Sequence, residues 1–233
     1  MAICLPPKEV PVLDKVIRAY NDAVYDTDRE RALQVVREAV EAGVSPEDIV
    51  FHVVLPAMDL MIKSLEEEGG ASLAQHYMTA QIADAVTTEM VAQFSKPPVV
   101  VGRVVIGTAE GDLHSLGKRI VTGCLRARMI EVIDLGVNVP PERFVDEAVA
   151  HDADVIAISA MMVHTAKGDR GCRRVRTLLD ERHLADKIKI IVGGAPYRFD
   201  RDLYWTVGAD AWAEDGVTAG KIIADMIESE RAS

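Results

Sequence analysis

Residues 99–120 read VVVGRVVIGTAEGDLHSLGKRI, and the change of character within this stretch decides how the rest of the chain is read. A run rich in β-branched residues ends near Gly107, a polar turn bracketed by Gly111 and Gly117 follows, and helical spacing takes over from Gly117. That order is a strand, a turn and a helix. The turn carries Asp112 and His114, two residues apart. A histidine in such a place could be a metal ligand, a general base or an ordinary loop residue, and the stretch alone leaves all three open.

Downstream the same rhythm repeats. Further β-rich runs at 131–135, 154–159, 189–193 and 210–213 join the first at 99–107. They alternate with amphipathic segments at 117–129, 141–151, 170–182 and 217–228, and with a short one at 200–207. Five strands separated by helices predict a parallel sheet covered on both faces. The default order is the flavodoxin-like 2-1-3-4-5, in which ligands bind beyond the carboxyl ends of the strands, near the switch between strands 1 and 3. The Asp112–His114 turn lies at that position.

Upstream the chain reads as helices. TDRERALQVVREAVEAG (27–43) sets Thr27 three residues before Glu30, the spacing of a capping box, and stops at Gly43. In SPEDIVFHVVLPAMDLMIKSLEEEGG (45–70), Ser45 is placed to cap and Pro46 to occupy the first helical position, while Pro56 predicts a kink or break. SLAQHYMTAQIADAVTTEMVAQF (72–94) is a further amphipathic helix, and a weaker one is expected at 12–25. The expected architecture is α + α/β: a helical cap domain at 1–95, a linker at 96–98 within SKPP, and a flavodoxin-like domain at 99–233.

Composition narrows the function. Of 233 residues, 49% are hydrophobic and 27% charged, the balance of a chain that folds into globular domains. No basic segment leads into an apolar stretch at the start, and charges or prolines interrupt every hydrophobic run, so a cytoplasmic protein without a membrane span is expected. Cys4, Cys124 and Cys172 stand too far apart for a zinc or iron–sulfur site. The net charge is −11, and residues 1–98 carry 8 Lys and Arg against 16 Asp and Glu, which disfavours nucleic acid and anionic membranes and suits a protein partner.

If the strands are placed correctly, three loops meet on one rim: GDLHSLG (111–117), SAMMVHT (159–165) and GGAPY (193–197). Each has a plain reading, with Asp112 as a helix cap, Ser159 as a polar strand end and Gly193-Gly194 as a turn needing positive φ. Together, and in this order, they resemble something more specific. Asp112-x-His114-x-x-Gly117, then Ser159-x-Met161, then Gly193-Gly194, resembles the cobalamin-binding signature of the corrinoid proteins of methyltransferase systems and of the B12-binding domain of methionine synthase. The helical half resembles the cap that precedes that domain, and VGGAPY (192–197) and GADAWAED (208–215) are most similar to the small corrinoid proteins of methanol, methylamine and O-demethylase systems.

The resemblance implies a corrinoid held base-off and His-on, with His114 as the lower axial ligand of cobalt. Asp112 would hold the other imidazole nitrogen and raise its basicity, and Thr165 matches the serine that completes this relay in methionine synthase. Gly117 would let the helix pack closely behind the loop, Ser159 would hydrogen-bond near the corrin, and Gly193 and Gly194 would admit the nucleotide tail. Gly111, Leu113, Leu116, Met161 and Ala195 would also lie against the cofactor. Two positions depart from the family: Met161 replaces a leucine of similar volume, and Val163 replaces a threonine of methionine synthase.

By the same resemblance the chain would accept a methyl group on Co(I) from a substrate-specific methyltransferase and pass it to an acceptor methyltransferase, as a carrier subunit and not a complete enzyme. A histidine coupled to a carboxylate suits such a cycle, because a proton taken up when the ring leaves cobalt is stabilised by the neighbouring charge. Phe51, Met58, Met61, His76, Tyr77 and Met78 are candidates to shield the upper face, with core packing as the plainer reading. Other functions of the fold fit less well. A nucleotide site would need G-x-G-x-x-G where Glu110 and Asp112 stand, a phosphorylated receiver would need an aspartate where strand 3 ends in AISAM, and a mutase would need a catalytic barrel. A corrinoid-dependent sensor is the alternative.

Overall fold

Why these residues fold as they do is visible in a computed structural model that describes residues 10–66, 70–95 and 100–232. The expected linker at 96–98 lies outside the described residues. The chain divides into two compact units, Met1–Pro98 and Val99–Ser233.

The first unit is helical. Helix α1 spans Val10–Tyr25 and α2 spans Arg29–Glu41. The expected capping box at Thr27 does not form. Thr27 has φ 58° and reverses the chain, so the N-cap passes to Asp28, whose carboxylate accepts from the Arg31 N–H at 3.0 Å. A capping box does form at the last helix of the unit, α5 (Leu73–Val91), where Ser72 and Gln75 each bond the other's backbone N–H.

Pro56 does not break its segment. Ser45 caps the short α3 (Pro46–Asp48), six residues of π-helix follow at Ile49–Val54, and α4 runs over Leu55–Glu66. The wider turns, with the Leu55 N–H reaching Val50 O, carry the chain past the proline, which lands in the first turn of α4 where its missing N–H costs least. Helix α5 buries Thr79, Ala83, Val86 and Met90 along one stripe against the other helices. Met58, Met61 and His76 also lie inside this core, whereas Phe51 is exposed and meets Phe94 in a tilted ring contact at 6.3 Å.

The second unit is a parallel sheet of five strands in the order β2-β1-β3-β4-β5, namely β1 Gly102–Thr108, β2 Ile130–Asp134, β3 Val155–Ser159, β4 Lys189–Gly193 and β5 Ala211–Ala213. Strand β1 begins at Gly102 and not at 99, because its partner β2 begins at Ile130, directly opposite. Alternate residues feed two cores. Val105, Ile156 and Ile190 pack against Phe144 of α7 (Pro141–Ala150) and Leu179 of α9 (Cys172–Glu181). Val104, Ile106 and Ile191 pack against Leu125 of α6 (Leu116–Ala127) and Ile223 of α12 (Gly216–Ala232).

Three short helices, α8 (Val163–Lys167), α10 (Ala195–Phe199) and α11 (Leu203–Thr206), complete the unit. Only the last is expected from sequence. Among the described residues no helix is long and apolar enough to cross a membrane. What positions the site is the register: Thr108 pairs with Ser159, and Ser159 with Gly193, so the ends of β1, β3 and β4 stand in one row.

Candidate functional site

The turn after β1 is built around Asp112, whose side chain is fully buried although both neighbours, Gly111 and Leu113, are exposed. Gly111 enables this by taking φ 84°, which folds the chain back so that the aspartate points inward. Its carboxylate is then surrounded by donors. Oδ1 accepts the His114 backbone N–H at 3.0 Å and lies 2.8 Å from His114 Nδ1. Oδ2 accepts the Met161 N–H at 2.6 Å, the Met162 N–H at 3.3 Å and the Thr165 hydroxyl at 3.0 Å.

Burial by itself would raise the carboxyl's pKa. The hydrogen bonds from His114, Met161 and Thr165 outweigh it and hold Asp112 down at about 2. An ionised carboxylate can only accept, so His114 Nδ1 carries the proton and the lone pair of the neutral ring is on Nε2. The His114 side chain is 57% exposed, against none for Asp112. The imidazole is thus held by one nitrogen and presented by the other.

Around it the surface is apolar. Leu113, Leu116, Met161, Met162 and Val163 are all large hydrophobic residues left exposed, with Leu113 at 70%. Water-facing apolar side chains grouped about a presented imidazole form a surface that a bound molecule would cover. Space is left as well. A Cβ at Gly117 would meet nothing within 4 Å, which corrects the expectation that this glycine serves close helix packing: among the described residues no neighbour requires it to be small. At Gly193 the nearest atom to such a Cβ is the Ala213 carbonyl oxygen at 3.4 Å, an ordinary contact.

Gly194 differs, because its φ is 123° and a Cβ there would fall on the Ala160 carbonyl, so the fold itself demands glycine. Ser159 is half-buried at the end of β3, with its carbonyl taken by the Ala109 N–H at 2.9 Å, and Ala195 opens α10, also half-buried. Thr165 is 4% exposed and lies on α8, within reach of Asp112 despite the intervening strand end. Among the described residues, the hydrogen bonds to the Asp112 carboxylate come from His114, Met161, Met162 and Thr165, with none from His151, His164 or His183.

Contacts that sequence reading missed run through the backbone or come from the neighbouring loop. The amides of Met161 and Met162 bind Asp112 whatever their side chains, so no residue type could signal them. Asn138, after β2, accepts the Gly111 N–H on Oδ1 at 2.7 Å; its position before a proline-rich helix start was the only visible hint. Buried Lys118, in the first turn of α6, forms an ion pair with Asp134 at the end of β2.

Comparison with known proteins identifies the family. Two family models, each described as a B12 binding domain, match residues 102–220 and 16–88. The chain is 36% identical over 213 residues to dimethylamine corrinoid protein 3 of Methanosarcina acetivorans, covering 89% of this chain and 94% of that protein. It is 33% identical over 211 residues to trimethylamine corrinoid protein 1 of the same organism, covering 86% and 92% respectively. Among solved structures it resembles the methanol:cobalamin methyltransferase complex MtaBC from Methanosarcina barkeri, with a TM-score of 0.73, 26% identity, and coverage of 97% of this chain and 86% of that one.

Proposed function

Because the chain belongs to the B12-binding corrinoid proteins of methyltransferase systems, we propose that it is a methyl carrier that holds a corrinoid through His114 and works between two partner enzymes. The observation that carries the reading is the paired state of the histidine: Nδ1 bound 2.8 Å from a buried, ionised Asp112, with the ring more than half exposed on an apolar rim. When bound, the corrinoid's cobalt supplies the nucleophile and the seat for the methyl group.

The chain's own residues do the rest. Asp112 fixes the tautomer and orientation of His114, and the Thr165 hydroxyl with the Met161 amide fixes Asp112. Nε2 is the nitrogen that would hold the cobalt, so the corrinoid would be bound base-off and His-on. Leu113, Leu116, Met161, Met162 and Val163, all exposed, would exclude water from a bound macrocycle, and Gly117 and Gly193 would leave room for it and its nucleotide tail. Gly111 and Gly194 shape the loops, and Ser159 and Ala195 line them.

A methyl donor and acceptor site would come from a substrate-specific methyltransferase and an acceptor methyltransferase; the structural resemblance to a methanol:cobalamin methyltransferase complex supports a methyltransferase partner. Cys172, buried and outside any disulfide, suits a reducing compartment, and we place the carrier in the cytoplasm. The test is to load the purified protein with cobalamin, record its spectrum, and repeat with His114→Ala. Uptake with displacement of the cofactor's own base, lost in the variant, is expected. No uptake by the wild type overturns the function; uptake with an unchanged spectrum in the variant overturns the ligand.

A further inference from the structure

The loop that presents His114 is also held from the opposite side, by residues that touch neither the imidazole nor Asp112's carboxylate. Thr108, the last residue of β1, is fully buried. Its hydroxyl donates to the Asp112 carbonyl at 2.5 Å and accepts the Asn138 N–H at 2.9 Å, and that same N–H lies 2.9 Å from the Asp112 carbonyl. Asn138 then returns through its side chain, with Oδ1 accepting the Gly111 N–H at 2.7 Å. Gly111 and Asp112 are therefore gripped by three hydrogen bonds at two backbone atoms, the Gly111 N–H and the Asp112 carbonyl, just before the histidine.

The residue types match the task. Asn138 sits at φ 54°, a conformation that asparagine tolerates better than most side chains, and it must also offer an acceptor, which glycine lacks. Thr108 must both donate and accept while buried, which a hydroxyl can do and valine cannot. The turn carrying Asn138 is itself tied down, since Asp134 accepts the Gly136 N–H at 2.8 Å and pairs with Lys118 of α6. The His114 loop is thus fastened at its strand end by Thr108 and Asn138 and at its helix end by Lys118.

We propose that Thr108 and Asn138 are positioning residues that set how firmly His114 ligates the cobalt of a bound corrinoid. The proposal rests on the reading of His114 as axial ligand. A rigid loop holds Nε2 where the metal binds and removes the ordering cost of ligation, whereas a loosened loop lets the ring spend more time off the metal at the same corrinoid occupancy.

The test compares the full chain, loaded with cobalamin and poised as Co(II), in wild-type form and as Asn138→Gly, Asn138→Asp, Thr108→Val and Thr108→Ser. With the protein labelled with nitrogen-15, electron paramagnetic resonance reads the ratio of His-on to His-off cobalt from the doublet splitting by the histidine nitrogen, which the cofactor's own unlabelled base does not give. Asn138→Gly and Thr108→Val should lower that ratio about five- to tenfold, the scale of one lost hydrogen bond, while Asn138→Asp and Thr108→Ser restore it. A tenfold loss corresponds to a Co(II)/Co(I) midpoint about 59 mV more positive, because ligation favours the oxidised form. In the cofactor-free protein, the Gly111 and His114 amides should exchange hydrogen faster in the two disruptive variants. Unchanged ratio, potential and exchange in those variants, even with a lower melting temperature, would overturn the proposal. Corrinoid bound without that doublet splitting in the wild type would instead overturn the ligand reading, and this inference with it.

Discussion

The Thr165 hydroxyl and the Asp112 carboxylate lie 3.0 Å apart in a buried environment, although 53 residues separate them in the chain. The contact joins the turn after β1 to the short helix after β3, and the row of paired residues Thr108 and Ser159 behind it brings the two together. Thr165→Val keeps the shape and removes the donor. It should cost about 1.5–3 kcal/mol, the range for a hydrogen bond to a charged group, whereas Thr165→Ser should stay close to wild type. Urea unfolding of the cofactor-free variants checks this.

Acid should weaken the same protein through Asp112. Its folded-state pKa is lowered from 3.8 to about 2, so the unfolded chain takes up the proton first as pH falls. The stabilisation is fully present above the unfolded value, near pH 4, and is lost as pH drops through the folded value near 2. The amount is about 2 kcal/mol by linkage. In the cofactor-free protein, Asp112→Asn should be less stable at neutral pH and should show a shallower fall in unfolding midpoint between pH 4 and 2; equal slopes would contradict this assignment.

Two glycines of the rim should respond in opposite ways to alanine. Gly194→Ala forces a side chain at φ 123° onto the Ala160 carbonyl and should destabilise the cofactor-free protein by at least about 2 kcal/mol. Gly117→Ala meets nothing in the chain and lies in the first turn of α6, so it should be neutral or stabilising by up to about 1 kcal/mol. Under the corrinoid reading the same alanine should weaken cobalamin uptake. Thermal melting with and without cobalamin separates the two effects.

Lys118 and Asp134 should tolerate joint replacement better than single loss. The lysine side chain is 4% exposed and the aspartate 34%, so Asp134→Ala strands a buried ammonium group. A cost of about 2–3 kcal/mol is expected, at the low side of values for broken buried pairs because Asp134 keeps some solvent. Lys118→Met combined with Asp134→Leu should recover most of it, as denaturant midpoints will show.

Much of this protein is determined by its sequence alone, because the signals are local. β-branched runs, helical spacing and turn glycines suffice for five parallel strands in the order 2-1-3-4-5, for the helical unit before them, and for the convergence of Asp112, Ser159 and Gly193 on one rim. Local signals also misled at Thr27, where a backbone reversal moved the cap to Asp28, and at Pro56, where π-helical turns absorbed the proline. Only the tertiary structure decided what holds the histidine. The donors to Asp112 include the Met161 and Met162 amides, which carry no side-chain signature, and the grip on its loop comes from Thr108 and Asn138, 30 residues apart. Periodicity reports which way a side chain faces, whereas a hydrogen bond between distant backbone atoms exists only once the sheet has set their register.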